Sequence, residues 1–128
     1  MILQSSKKKL LPVGFRDILT NEANLQLNYA KQLIEIFNRW GYNLIEPPLI
    51  EYEETLLDVK SDKLSNKTFT FMDPLTKENL SLRPDITIQL ARIASDRLSD
   101  FPKPLRLCYY GDVFRADKPK LSEDRQFK

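Results

Sequence analysis

The sequence contains no histidine, and this absence excludes two common kinds of active site. Neither a Ser-His-Asp triad nor a His-ligated metal centre can be built from these residues. The one cysteine, Cys108, cannot form a disulfide within the chain, and we expect it to be a small buried residue in a reducing compartment. With only 3 glycines, the chain also lacks the G-x-G-x-x-G and Walker A phosphate loops. Any bound phosphate would therefore have to contact arginines.

Long apolar runs and a strong net charge are also absent. No stretch approaches the ~18 apolar residues of a membrane span and no signal-peptide core is found, so we expect a cytoplasmic protein without membrane contact. With 20 Lys and Arg against 18 Asp and Glu, the net charge is +2, and we do not expect nucleic-acid binding. We interpret residues 1–9, with lysines at 7–9, as a polar N-terminal leader and residues 10–128 as a single domain.

The most regular pattern predicts a long helix over residues 20–40. Apolar residues recur there at three- and four-residue spacing, with Thr20 or Asn21 as a cap and Gly41 as the stop signal. We expect Phe37 and Trp40 to pack in the core rather than to stack on a ligand.

Short strands and a second helix follow. Residues 42–46 predict a short strand that ends at two prolines, apolar character resumes at residues 49, 50 and 52, and residues 53–59 predict a short helix. Residues 68–73 alternate at period two and residues 80–82 return, which indicates an antiparallel hairpin. Residues 85–98 predict an amphipathic helix capped by Asp85. This order predicts an α+β domain with a mostly antiparallel sheet flanked by helices.

The remaining predictions from local sequence concern residues 105–128. Residues 105–114 predict one buried strand, in which Gly111 lets another backbone come close or bends the strand. Arg115 and Asp117 follow, then a polar turn at 118–122 and a second strand from Arg125. Arginines near both ends of such a hairpin can bind phosphate or carboxylate through paired hydrogen bonds. Because the sequence stops inside the second strand, we expect a truncated domain.

Several short motifs occur in order and at matching spacings: residues 14–17 (GFRD), 41–51 (GY through P to E), 82–87 (LRPDIT), 114–115 (FR) and 125–127 (RQF). Together they resemble the N-terminal part of the histidyl-tRNA synthetase catalytic fold. The resemblance covers residues 10–128 and implies a class II aminoacyl-tRNA synthetase-like fold that is incomplete in this chain.

Two branches of that family differ in function: the synthetase, and a catalytically silent paralogue that serves as the regulatory subunit of ATP phosphoribosyltransferase. The synthetase typically has Glu-Gly-Thr where this chain has Asp85-Ile86-Thr87, and Phe-Arg-x-Glu where Asp117 replaces the last glutamate. It also typically has a phosphate-binding arginine at the position of Glu123. A glutamate there loses a charge-assisted hydrogen bond worth ~1.5–3 kcal/mol and adds repulsion. These differences favour the regulatory branch.

The resemblance to that branch implies a non-catalytic protein of histidine biosynthesis that binds the catalytic ATP phosphoribosyltransferase subunit, self-associates, and senses histidine as its effector. It implies no catalytic residues, no cofactor and no metal. Asp85 and Thr87 would face the ammonium group of histidine and Arg115 its carboxylate, with Asp117 and Arg125 as secondary contacts. Two alternatives remain: a fragment of histidyl-tRNA synthetase, and a non-catalytic dimerisation module that uses the first helix and the segment around Pro47 and Pro48.

Overall fold

A computed structural model of the chain describes residues 11–56, 67–117 and 124–128. The predicted leader, residues 1–9, the predicted turn at 118–122 and Glu123 lie outside these ranges. The elements in chain order are α1 (Thr20–Arg39), β1 (Asn43–Leu44), β2 (Ile50–Tyr52), α2 (Glu53–Leu56), β3 (Thr70–Met72), β4 (Asn79–Leu82), α3 (Thr87–Asp96), β5 (Leu107–Cys108), β6 (Val113–Phe114) and β7 (Gln126–Phe127).

Helix α1 confirms the strongest periodic pattern in the sequence. Its N-cap is Leu19, which makes no side-chain capping bond, so the prediction that Thr20 or Asn21 caps the helix is wrong. At the other end Gly41 has φ +77°, its N–H donates to Asn38 O, and the N–H of Tyr42 donates to Phe37 O. This pair of bonds is a Schellman motif, which needs a residue that tolerates positive φ.

The antiparallel sheet has the strand order β2-β4-β3, with Glu51 opposite Ser81 and Phe71 opposite Leu80. It contains the hairpin that the period-two pattern predicts. The short helix α2 follows β2 directly, and residues 57–59 of the predicted helix lie outside the described ranges. Helix α3 begins at Thr87, and its N-cap is Ile86, which makes no side-chain capping bond, so the prediction that Asp85 occupies the capping position is wrong. The carboxylate of Asp85, one residue earlier, accepts a hydrogen bond from the Thr87 N–H (2.8 Å).

The stretch over residues 105–114 is not one strand, and that prediction is wrong. β5 pairs in parallel with β1, whereas β6 pairs with β7 in an antiparallel ladder that places Val113 opposite Phe127. Between them the chain leaves both ladders, and there the carbonyl of Asp112 accepts a hydrogen bond from the buried side chain of Arg83. The predicted hairpin is therefore present, but its first strand is short.

The buried apolar core of the described residues is small and comprises Ala30, Leu56, Ile86 and Cys108. Phe37 is 40% exposed and Trp40 68% exposed, so the expectation that both pack in the core is wrong. Phe37 instead contacts the ring of Tyr42 at 5.8 Å. Taken together, the elements form an α+β architecture with mostly antiparallel pairing. Within the described ranges, no helix is long and apolar enough to cross a membrane.

Candidate functional site

A cavity of about 270 Å³ lies where the turn before α3 meets the segment that joins β5 to β6 and the end of the chain. Its lining includes two of the predicted ligand-binding residues, Asp85 and Arg115, which are 30 positions apart in sequence. The complete lining is Pro84, Asp85, Ile86, Tyr109, Tyr110, Gly111, Val113, Arg115, Phe127 and Lys128. Its walls are largely apolar and aromatic, with a few charged groups, which is the usual composition of a small-molecule site.

Arg115 is held through its main chain. Its N–H donates to Arg125 O (2.9 Å), which extends the β6–β7 ladder by one bond. The residue is half-buried, and its guanidinium has no hydrogen-bond or ion-pair partner among the residues that the structure describes. A partly desolvated guanidinium of this kind is suited to an anionic ligand, because it can form two parallel hydrogen bonds with a carboxylate.

Asp85 and Thr87 are fixed by the start of α3. Oδ1 of Asp85 accepts the Thr87 N–H at 2.8 Å, and the Thr87 hydroxyl lies 3.0 Å from the phenol oxygen of Tyr109. Thr87 does not line the cavity, but its hydroxyl is within hydrogen-bond distance of Tyr109, which does. Between them Ile86 is 3% exposed and fills the position that is a glycine in the synthetase pattern.

The two residues that were predicted as secondary contacts lie elsewhere. Asp117 is 3.6 Å from the Lys67 ammonium group, with both side chains about half exposed. The guanidinium of Arg125 lies 4.6 Å from the centre of the Phe69 ring and donates to the carbonyls of Arg115 and Ala116, both at 3.0 Å. Arg125 therefore supports the backbone on which Arg115 is carried, and neither residue is part of the cavity lining.

Arg83 lies in the LRPD turn but was not among the residues predicted to form the site. It is 3% exposed, and its Nε and Nη1 donate to the carbonyls of Asp112 (2.7 Å) and Pro47 (2.8 Å). Burial holds the pKa of Arg83 below its ordinary value. The space at Gly111 is occupied by this side chain and not by another backbone, because a Cβ built there would lie 2.3 Å from Nη2 of Arg83.

A second cavity, of about 410 Å³, separates α1 from the β6–β7 hairpin. On its lining, Arg16 joins the two sides by donating to Asp124 (2.9 Å) and to Glu22 (2.8 Å). These hydrogen bonds lower the pKa of Glu22 and raise that of Arg16. Lys128, which lines both cavities, lies 5.5 Å from the ring centre of Tyr110.

The architecture and the arginine-bearing hairpin beside the LRPD turn define part of a class II aminoacyl-tRNA synthetase-like domain. The family model described as "Histidyl-tRNA synthetase" matches residues 14–128, and the chain belongs to that family.

Among curated relatives, the ATP phosphoribosyltransferase regulatory subunit of Paramagnetospirillum magneticum is 44% identical over 97% of this chain and 33% of its own length. The protein of the same name from Rhodospirillum rubrum is 42% identical over 97% of this chain and 32% of its own length. The chain thus spans about a third of the length of these relatives.

Solved structures agree on the fold. The chain is similar to an ATP phosphoribosyltransferase regulatory subunit/histidyl-tRNA synthetase from Bacillus halodurans, with a TM-score of 0.77 and 35% identity over 99% of this chain and 32% of the other. It is also similar to a histidyl-tRNA synthetase from Nostoc, with a TM-score of 0.78 and 26% identity over 94% of this chain and 27% of the other.

Proposed function

We propose that the protein is a non-catalytic regulatory subunit of ATP phosphoribosyltransferase, required for the first step of histidine biosynthesis and for its feedback regulation by histidine. The observation that carries this proposal is the 44% identity, across almost the whole chain, to a curated protein of that name. The partner would be the catalytic subunit of the enzyme, and the complex would work in the cytoplasm, away from membranes and nucleic acids.

The cavity supports an amino-acid effector. Asp85 and Arg115 are oppositely charged and line one space, so a zwitterionic ligand would satisfy both charges at once. The volume of about 270 Å³ is near the lower end of the ~300–1,000 Å³ of ligand pockets, which suits one small molecule. Tyr109 and Tyr110 add aromatic walls that an imidazole ring could pack against.

Regulation would follow from differential binding. An effector changes the activity of a complex only by the difference between its affinities for the active and inactive conformations. Histidine bound between the turn at Asp85 and the hairpin at Arg115 would bias how these two segments lie relative to each other. This is the change that the catalytic partner would detect.

The test is an activity assay of the catalytic subunit from the same organism, with and without this protein as its gene encodes it. We expect ATP phosphoribosyltransferase activity to depend on the added protein and to fall when histidine is added. A catalytic subunit that is equally active and equally histidine-sensitive alone would contradict the proposal.

A second candidate is histidyl-tRNA synthetase, which the name of the Nostoc structure favours. Activation of histidine requires phosphate-binding arginines, and the sequence has Glu123 where the synthetase pattern has one. We therefore expect no histidine-dependent ATP–pyrophosphate exchange. Exchange at a rate typical of synthetases would establish this second candidate instead.

A third candidate, a dimerisation module, is favoured by one face of α1. Five apolar side chains spaced four, four, three and four residues apart follow one side of the helix and are 48–68% exposed: Leu25, Tyr29, Leu33, Ile36 and Trp40. This exposed stripe has the spacing of a helix surface that packs against another element. Self-association through the stripe is compatible with the regulatory function.

A further inference from the structure

We infer that Arg83 is a positioning residue that sets the distance between the two charged groups of the cavity, and thereby its selectivity for ligands with a carboxylate. The inference rests on the proposed function, because it concerns the same ligand site. It adds a residue that contacts neither end of the ligand and does not line the cavity.

Arg83 lies at a junction of three segments. Its N–H donates to Leu49 O (3.0 Å) and its carbonyl accepts the N–H of Phe114 (3.0 Å). Its side chain donates to Pro47 O (2.8 Å) and to Asp112 O (2.7 Å). A single residue at the end of β4 therefore connects the segment before β2 with strand β6 and with the residue that precedes β6.

The two charged groups of the cavity are carried on either side of this junction. Asp85 follows Arg83 by two residues, and Arg115 follows Phe114 directly. Because Arg83 is bonded to the main chain at Asp112 and at Phe114, it fixes the start of β6 against the turn that carries Asp85. A shift of the hairpin relative to this turn would move the Arg115 guanidinium away from a bound carboxylate.

Arg83 is a buried charged residue. It is 3% exposed and has no ion pair with any carboxylate of the described residues, so its side-chain hydrogen bonds go to main-chain carbonyls, while the carboxylates of Asp112, Glu46 and Glu51 attract its charge from longer range. Gly111 leaves the space that Nη2 occupies, since a Cβ there would lie only 2.3 Å away. The local backbone is thus shaped around a guanidinium rather than around a smaller apolar side chain.

The experiment compares the affinities of L-histidine and L-histidinol, in which a hydroxymethyl group replaces the carboxylate. The unmodified protein should bind histidine more tightly, because only histidine engages Arg115. Selectivity is expressed as the dissociation constant of histidinol divided by that of histidine. In Arg83→Met this ratio should fall about tenfold or more, toward the ratio measured for Arg115→Ala. In the double variant Arg83→Met/Arg115→Ala the ratio should fall no further.

Two further variants separate positioning from stability. Gly111→Ala keeps Arg83 but removes the space for Nη2, so it should lower the ratio as Arg83→Met does. Arg106→Met removes another arginine whose guanidinium donates to a main-chain carbonyl, that of Trp40 (2.9 Å), and which does not line the cavity, so it should lose this hydrogen bond without changing the ratio. All titrations are made well below each variant's unfolding midpoint, measured by circular dichroism.

The outcomes are distinguishable. If the unmodified protein binds histidine selectively and folded Arg83→Met or Gly111→Ala keeps the same ratio, Arg83 is only structural and the inference fails alone. If the unmodified protein binds no histidine, the proposed function fails and this inference fails with it.

Discussion

At the scale of single residues, Asp85 and Arg115 place opposite charges on the lining of one cavity and form no ion pair with each other among the described contacts. Asp85 gives one oxygen to the helix start at Thr87, and the Arg115 guanidinium has no partner among the described residues. A zwitterion would pair with both groups, whereas each group alone must be solvated.

The first prediction tests this pairing. Arg115→Ala and Asp85→Asn should each weaken histidine binding by about 2–4 kcal/mol, because a ligand charge is left unpaired in a partly desolvated site. Asparagine keeps an oxygen that can cap the helix at Thr87, so the second variant changes mainly the charge. Calorimetric titration of the complex with the catalytic subunit measures both effects.

The matched control for these variants is Arg97→Ala at the end of α3, which removes an exposed arginine that does not line the cavity. It should leave histidine affinity unchanged. Unaltered affinity in both cavity variants, with the fold intact by circular dichroism, would mean that the sensing site lies elsewhere.

The second prediction concerns pH and Asp73 in the turn between β3 and β4. The N–H of Leu75 and the hydroxyl of Thr76 donate to its carboxylate, both at 2.9 Å, and lower its pKa from an ordinary value of 3.8. Arg16 likewise lowers the pKa of Glu22 from 4.5. Because the unfolded chain binds these protons more readily, both groups stabilise the fold above these values and lose that contribution as pH falls through the folded pKa.

Thermal unfolding midpoints between pH 7 and pH 3 measure this dependence. The midpoint should fall with acidification below about pH 4.5, where Glu22 begins to titrate in the unfolded chain. Asp73→Asn should lower the midpoint at neutral pH and flatten the acid limb of the curve. An equally steep acid limb in this variant would show that Asp73 does not contribute to the dependence.

At the scale of elements, α3 is attached to β2 by a compact polar cluster. Arg92 pairs with Glu51, whose side chain is 8% exposed, and Gln89 donates to both Glu51 (3.0 Å) and Pro48 O (2.8 Å). The cluster holds the helix that begins at Thr87, and so the turn that carries Asp85, against the sheet.

The third prediction follows from this burial. Arg92→Met should destabilise the protein by about 1–3 kcal/mol, because it leaves the buried carboxylate of Glu51 without its positively charged partner. The partial exposure of Arg92 to water reduces the effect. Adding Glu51→Gln should cost less than the sum of the two single changes. Urea unfolding measures all three variants, and strict additivity would contradict the coupling.

At the scale of the whole molecule, the described residues have a small buried apolar core, whereas α1 has an exposed apolar stripe. The fourth prediction is that the stripe drives self-association. Ile36→Glu, at 48% exposure, should shift the protein toward monomer, whereas Leu27→Glu, at 50% exposure on a different side of the same helix, should not.

Sedimentation velocity at tens of micromolar decides this. We expect dimers or larger species for the unmodified protein and for Leu27→Glu, and monomers for Ile36→Glu. A parent protein that sediments as a monomer would show that this surface of α1 does not bind a second copy.

The amino-acid sequence by itself determined the elements that depend on neighbours a few residues away. The three- and four-residue spacing before Gly41 predicted α1 and its C-terminal stop, and the period-two alternation predicted the β3–β4 hairpin. Spaced motifs also indicated the family and brought Asp85 and Arg115 forward as one site, and both residues line one cavity. Helix periodicity and turn chemistry depend on residues that are close in sequence, and motif order is a property of the sequence itself. All three can therefore be recognised without the folded structure.

Only the tertiary structure decided that Arg83 is the buried arginine beside the cavity. The bonds of Arg83 reach across 29 residues to Asp112 and across 36 to Pro47, and they divide a stretch that had the composition of one strand. The same kind of distant contact places Arg125 against Phe69, whereas Trp40 stays 68% exposed although Arg106 donates to its carbonyl. A residue's side-chain type is fixed by the sequence, but its burial and its hydrogen-bond partners depend on segments that meet only after folding.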